Sequence, residues 1–382
     1  MPYRQSERDF LRQRWLSGVS LLMLAMRRTG KTWLCHKLEE DAKANGYRAA
    51  YCDLEGREDE RAVFSYIYEH LESQADLGQL AKDRLGNLLR RILTGQADAS
   101  NVKELLLRTD PREALDSLLA VLSEEQKPWL IILDELPLFV MKLVKADRSR
   151  AENFLYQLRA YRQKHPTICW IMTGSVGLDV IERRENLAGP NNDLERFDLL
   201  PFSREAAREF VEIVNPKCPN PFALDDEAFH HLAQRLNWLS PYYLQRIAVA
   251  MRPSGAQHGS HTMATIADID RAFDSLLAHA GRGYFAAWVE HIDKNFIEPE
   301  RQRLCVILSR LSLHEEGETF DTLLTIVGLL QKSVTRRELR EALDVLCSDG
   351  YLLDSSGRYR FVSGLVRLWW NRWEADDDGE GA

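Results

Sequence analysis

Residues 20–34, SLLMLAMRRTGKTWL, constrain this chain more than any other stretch. Residues 21–24 form a short apolar run suited to a buried strand, Arg27-Arg28-Thr29 a polar loop, and Gly30-Lys31-Thr32 the opening of a helix. The spacing is that of G-x-x-x-x-G-K-[ST], with Ala25 in place of the first glycine. A strand, a loop and a helix in this order make a cradle for phosphate. Gly30 lets backbone N–H groups close around oxygens, and the helix that follows turns its positive dipole end toward the anion. Lys31 would reach the β- and γ-phosphates, and the Thr32 hydroxyl would ligate Mg²⁺. The expected nucleotide-binding segment is therefore Ala25, Arg27, Arg28, Thr29, Gly30, Lys31, Thr32 and Trp33. A G-K-T in a turn before an amphipathic helix is the plainer alternative, and the strand-like run ahead of it argues against that.

About 100 residues further on, residues 127–140, KPWLIILDELPLFV, supply a second anchor. Residues 129–133 are continuously apolar, as expected of a central parallel strand covered on both faces. The run ends in Asp134-Glu135. Open α/β sheets bind ligands outside the carboxyl ends of their strands, so Asp134 is expected to hold Mg²⁺ through water and Glu135 to polarise an attacking water. An acidic pair at a strand end is common alone; one on such a strand downstream of a G-K-T is not.

Residues 47–54, 167–173 and 194–202 read as further strands, interleaved with helices over 7–17, 33–44, 59–73 and 151–163. Residues 77–122 are helical and rather polar, interrupted at 94–100 and at Asp110-Pro111. Thr173-Gly174-Ser175 forms a polar strand end. Thr173 or Ser175 there could sense the γ-phosphate or align water, and an ordinary turn after a core strand is an equal reading. Ser203 caps a helix, and helices over 225–236, 241–251 and 266–280 with a Gly/His/Ser-rich loop at 253–262 suggest a lid. Helices over 303–313, 320–330 and 335–348, then strands over 351–354 and 358–362 around Ser355-Ser356-Gly357, follow the winged-helix order. The closing helix carries Trp369, Trp370 and Trp373, read as core packing. The expected division is a core over 1–202, a helical lid over 203–297, a winged helix over 298–373 and an acidic tail over 374–382.

A length of 382 residues suits two or three domains, and 45% hydrophobic with 28% charged residues is ordinary for a globular protein. The net charge of −8 argues against a basic coat, and most of it lies in Glu374, Asp376, Asp377, Asp378 and Glu380. Six scattered cysteines without a C-x-x-C pair indicate neither a disulfide framework nor a zinc site. No apolar run is long enough for a bilayer, and a charged start, MPYRQSERDF, does not resemble a signal peptide, so a cytoplasmic protein is expected.

In order along the chain stand M-R-R-T-G-K-T, Y-C-D-L-E, L-I-I-L-D-E, I-M-T-G-S, L-L-P-F-S, S-P-Y-Y-L-Q and R-L-W-W-N-R-W. Together they resemble the archaeal-type AAA+-like ATPases related to the STAND class of P-loop NTPases. The resemblance covers nearly the whole chain. It implies an α/β fold: an AAA+/ASCE-like parallel-sheet core, then a helical lid and a C-terminal winged helix. It also implies ATP and Mg²⁺ as ligands, Lys31 and Thr32 on phosphate and metal, Asp134 and Glu135 serving metal and water, and Thr173 to Ser175 on a sensor strand. Two departures stand out: Ala25 for glycine, and residues 237–241 without the glycines usual before the P-x-x-L-Q element.

Two functional readings follow. In the first, ATP binding and slow hydrolysis drive a switch that controls a partner protein or a homo-oligomer. An arginine in cis or from a neighbouring subunit would stabilise the γ-phosphate charge, with Arg150, Arg159, Arg183, Arg184 and Arg196 as candidates. In the second, the chain is a DNA-binding regulator with nucleotide as allosteric ligand. Arg336, Arg337 and Arg340 would open the recognition helix there, with Arg358 and Arg360 on the wing. Glu338, Glu341, Asp344, Asp349 and Asp354 leave that module near neutral. A small-molecule kinase is the weakest reading, because the sequence suggests a helical lid and winged helix rather than a substrate pocket between strands.

Overall fold

The computed structural model describes residues 4–93, 102–125, 127–174, 177–187, 189–258, 261–330 and 334–375. The chain forms two compact units. One is built from the residues before Leu200 apart from Met26–Gly30, the other from Met26–Gly30 together with Leu200 onward.

In the first unit the apolar runs become β1 (Leu21–Ala25), β2 (Arg48–Asp53), β3 (Trp129–Asp134), β4 (Ile168–Gly174) and β5 (Glu195–Leu199). They pair in parallel in the order β2–β3–β4–β1–β5. Every residue of β3 and β4 is buried, which explains why both read as unbroken apolar runs rather than as alternation. Successive side chains still leave on opposite faces. Leu22, Ile131, Leu133, Trp170 and Met172 enter one core cluster, and Leu21, Met23, Leu130, Ile132 and Ile171 the other.

Helices α1 (Gln5–Leu16) and α2 (Lys31–Ala44) cover the second of these faces, through Leu11, Trp15, Leu34 and Leu38. The first face is covered by α3 (Glu60–Ala75), α4 (Gln79–Ile92), α5 (Val102–Arg108), α6 (Pro111–Ser123), α7 (Leu136–Ala146), α8 (Arg148–Lys164) and α9 (Leu178–Arg184). Asp59, Asp110 and Asp147 cap α3, α6 and α8 by accepting from backbone N–H groups one turn in. Helix α9 falls where the sequence pattern suggests no element; at 7 residues it is too short to show a period. The interruption expected at 94–100 lies outside the described residues.

The second unit continues with α10 (Arg204–Val214), β6 (Phe222–Ala223), α11 (Asp226–Leu236), α12 (Pro241–Ala250), β7 (Gln257–His258), β8 (His261–Met263), α13 (Ile266–Leu277) and α14 (Ala286–Asn295). Ser203 caps α10 as its sequence suggests. The loop expected at 253–262 instead contributes to a three-stranded sheet, β6–β8–β7, whose strands are too short to leave a pattern. Then follow α15 (Glu300–Ser312), β9 (Glu318–Thr319), α16 (Phe320–Leu330), α17 (Arg336–Ser348), β10 (Leu352–Ser355), β11 (Arg358–Phe361) and α18 (Gly364–Trp373). The sheet order β10–β11–β9 is antiparallel throughout. Trp369 and Trp370 are buried in this unit. Among the described residues no helix is long and apolar enough to cross a membrane.

Ile132 tests the packing on the α1–α2 face, because it is fully buried in a strand with neighbours on both sides. Ile132→Ala is expected to lower the unfolding free energy by about 2–5 kcal/mol, read from the shift of the urea midpoint. A shift under about 1 kcal/mol would mean that this face is not close-packed.

Candidate functional site

The carboxyl ends of β3, β4 and β1 are neighbours in the sheet, and the sequence places its most polar residues there. Asp134 closes β3 and is 1% exposed. Glu135 follows at φ +55°, in the left-handed region that non-glycine residues rarely adopt, and leads directly into α7. The turn is tight. Gly174, at the end of β4, lies so close that a Cβ there would sit 2.3 Å from Pro137 Cδ and 3.5 Å from Glu135 Cα. Only glycine lets β4 and the β3–α7 turn approach this closely.

Lys31 opens α2 and is 7% exposed. Its Nζ donates to Asp134 Oδ1 and, at 2.6 Å, to Glu135 Oε1. Burial works against the ammonium charge, but the two carboxylates outweigh it and hold the Lys31 pKa above its ordinary value. Asp134 is further held by the Glu135 backbone N–H, donating to Oδ1 at 2.8 Å, and by the Tyr51 hydroxyl, donating to Oδ2 at 2.8 Å. Burial, then the Asp134 charge, push the Tyr51 phenol well above its usual range. Sequence reasoning missed Tyr51. The signal available was its spacing: Tyr51 and Asp53 share one face of β2, and Asp53 is in register with Asp134.

Thr173 is fully buried, and its hydroxyl donates to the Met23 carbonyl at 2.7 Å, joining β4 to β1. Ser175 lies outside the described residues. Thr32 is exposed on the first turn of α2, and Trp33 is half-buried beside it, with Lys37 Nζ 5.8 Å from its ring. Ala25 is buried as the last residue of β1. Of the arginines considered for charge stabilisation, Arg150 is bound to Glu60 and Arg159 donates to the Gly189 carbonyl at 2.6 Å.

The loop tip, Met26–Gly30, belongs to the second unit, and its partners there were not legible in the sequence. Arg27 Nη2 donates to Nδ1 of His291. Arg28 lies 4.1 Å above the Tyr242 ring, and its carbonyl accepts from Ser240 Oγ at 2.5 Å. Thr29, fully buried, donates to the Met26 carbonyl at 2.7 Å. Arg28 at φ +66° and Gly30 at φ +88° turn the chain into α2. A non-glycine residue so placed costs about 1–3 kcal/mol and persists only where its surroundings over-determine it, as Ser240 and Tyr242 do here.

The donor set of Lys31, Thr32, Asp134 and Glu135 is chemically of the kind that a nucleoside triphosphate with Mg²⁺ takes. Arg27 Nε is a buried donor with no hydrogen-bond partner, an arrangement worth about 1–3 kcal/mol to relieve. Among the described residues no group of three or more His, Cys, Asp or Glu could enclose a metal. One carboxylate and one hydroxyl suit Mg²⁺, which keeps several waters and takes the rest of its ligands from phosphate.

The Tyr51–Asp134 bond gives a pH test. A phenol whose folded pKa is raised contributes stability that is fully present below its ordinary value of 10.0 and is lost as pH rises toward the folded value. Lys31, raised from 10.5, acts in the same direction. Tyr51→Phe should therefore lose about 1 kcal/mol at neutral pH and show a shallower alkaline decline, measured by urea unfolding across pH. Superimposable curves for the two proteins would remove Tyr51 from the site.

No protein-family profile matches the chain, and no curated protein matches it significantly. Solved structures do. A Walker-type ATPase of Pyrococcus abyssi superposes with a TM-score of 0.61 at 14% identity, over 96% of this chain and 95% of that one. The ORC2 protein of Aeropyrum pernix, solved as ADPNP–ADP complexes, superposes with a TM-score of 0.53 at 14% identity, over 95% and 90%. At such identities the likeness concerns the fold alone: a parallel five-stranded sheet with flanking helices.

Proposed function

We propose that this chain binds ATP with Mg²⁺ through residues 25–32 and hydrolyses it slowly, as a nucleotide-driven switch acting on a partner through its C-terminal module. The observation that carries this reading is the placement of Lys31. It stands at the start of a helix that follows a left-handed glycine, and it is hydrogen-bonded to both carboxylates at the end of the central strand. A surface G-K-T would have no reason to meet a buried Asp-Glu pair. One structural neighbour is a Walker-type ATPase, and the Aeropyrum protein was solved as ADPNP–ADP complexes.

In this reading the α2 N-terminus, the Gly30 backbone and Lys31 receive the phosphates, while Thr32 and Asp134 hold Mg²⁺. The metal, when bound, neutralises charge developing on the phosphate oxygens. Lys31 turns from the carboxylates to the phosphates, which frees Glu135 Oε1 to accept a hydrogen bond from water and take its proton. Tyr51 keeps Asp134 oriented. Thr173, whose hydroxyl is already given to Met23, serves to align β4 with β1. Arg150 and Arg159 are engaged elsewhere in the chain, which supports slow turnover unless a neighbouring copy supplies an arginine.

A protein partner is favoured over duplex DNA. Arg336 and Arg337, at the start of α17, donate to Asp321 and Glu341 at 3.0 and 2.8 Å. Arg358, on β11, donates to the Gly317 carbonyl at 3.1 Å. Arginines neutralised or turned inward release few counterions from a phosphate backbone. Absence of duplex-DNA retention even at low salt would fit this reading, and retention with a steep salt slope would favour DNA.

Lys31→Ala is expected to abolish ATP binding in equilibrium titration. Glu135→Gln should bind ATP normally and lose turnover about a hundredfold or more. Normal binding by the first variant, or normal turnover by the second, would overturn the assignment of these roles.

A further inference from the structure

His291 and Asp349 lie far from the phosphate loop in sequence, and no motif announces them. His291 is 3% exposed on α14, and Asp349 is 1% exposed at the end of α17. His291 Nε2 lies 2.8 Å from Asp349 Oδ2, and His291 Nδ1 faces Arg27 Nη2. The chemistry of the partners sets the direction of both bonds. A guanidinium has only donors, so Nδ1 must accept; the ring proton is then on Nε2 and is donated to the carboxylate. Asn295 Nδ2 donates to the His291 carbonyl at 2.9 Å and lies 2.8 Å from the same Nδ1. The Tyr351 ring stacks on the imidazole at 6.3 Å, and its hydroxyl is fixed on the Trp288 carbonyl at 2.6 Å. Asp349 thus selects the tautomer that can receive Arg27, and the surrounding side chains lock the ring.

The next residue grips the same loop. Gly350, at φ +80°, comes so close to Met26 that a Cβ there would lie 2.9 Å from Met26 Cβ. Two consecutive loop residues, Met26 and Arg27, are therefore held by two consecutive residues at the α17–β10 corner, one directly and one through His291.

We propose that His291 and Asp349 are positioning residues for the phosphate loop: they hold the Arg27 guanidinium and with it the loop conformation that receives nucleotide phosphates. This inference rests on the nucleotide-binding reading above. By reciprocity, whatever the loop binds acts on the α17–β10 corner, and whatever docks on α17 changes affinity at the loop. The residues act through Arg27 and touch no reacting atom.

The test is a double-mutant cycle on the full chain, with Kd for Mg²⁺-ATP measured by titration and Tm measured alongside. Arg27→Ala and His291→Ala are each expected to raise Kd about tenfold, the scale of one charge-assisted hydrogen bond. The double variant should be no weaker than the weaker single, because the two side chains form one unit. Asp349→Asn, nearly isosteric, should raise Kd about threefold through loss of the charge that fixes the ring. Should His291→Ala fail to fold, the cycle of Arg27→Ala with Asp349→Asn decides in its place. Unchanged or tighter binding by a folded His291 or Asp349 variant, or losses that multiply in the double, would overturn the proposal. If wild type does not bind ATP, or Lys31→Ala binds it equally well, the nucleotide-binding reading itself fails, a result separate from any in the cycle.

Discussion

The site depends on one buried cation between two carboxylates. Asp134 and Glu135 are adjacent in sequence and both turn toward Lys31. In a medium of low polarity two such carboxylates repel strongly, and losing the partner of a buried ion pair costs about 3–5 kcal/mol. Lys31 therefore holds the strand end together, and in the proposed reading it also presents a charge to phosphate. The two duties conflict. If the ammonium moves toward an incoming anion, the carboxylates need another cation, and the hard oxygen donors left behind suit a hydrated divalent ion. In the proposed reading, a lysine shared in this way would tie phosphate and metal occupancy together without any further residue.

That arrangement is available only because of strand order. Chain order would put β1 beside β2; the sheet instead inserts β3 and β4 between them. The loop after β1 and the acidic pair after β3 then flank a single strand, β4, whose carboxyl end must be slim. Gly174 meets this need, since the space a side chain would take is filled by Pro137. The Thr173 hydroxyl, bonded to the Met23 carbonyl, fixes how far β4 extends beside β1. Two small residues thus govern the spacing between the carboxyl ends of β1 and β3.

The sheet was legible in the sequence because buried parallel strands appear as unbroken apolar runs, and both anchors sit where such runs stop. Helix α9 and the two-residue strands β6, β7 and β9 were not, being shorter than any period that could reveal them. The partners of the site escaped for a different reason. Tyr51 is 83 residues from Asp134, and His291 is 264 residues from Arg27. Contacts at that separation exist only once the chain has folded. Nothing in the local text around His291, WVEHIDKN, separates a histidine that orients an arginine from one that packs a helix.

Ala25 shows how a motif can depart from its pattern without losing its geometry. A glycine is required where backbone torsions are left-handed or where another group approaches the Cα. Ala25 meets neither condition: it is the last residue of β1, in register with Leu199, and absent from the positions of positive φ. Its methyl group joins the core beside Leu21, Met23 and Leu34. The left-handed turns that shape the loop fall three and five residues later, at Arg28 and Gly30. Arg28 is a side chain in a glycine-like conformation, and the Ser240 hydroxyl on its carbonyl with the Tyr242 ring beneath its guanidinium compensates for that strain. The conformational demand of this loop therefore lies not at position 25 but at Arg28, whose side chain and carbonyl provide the means of holding it.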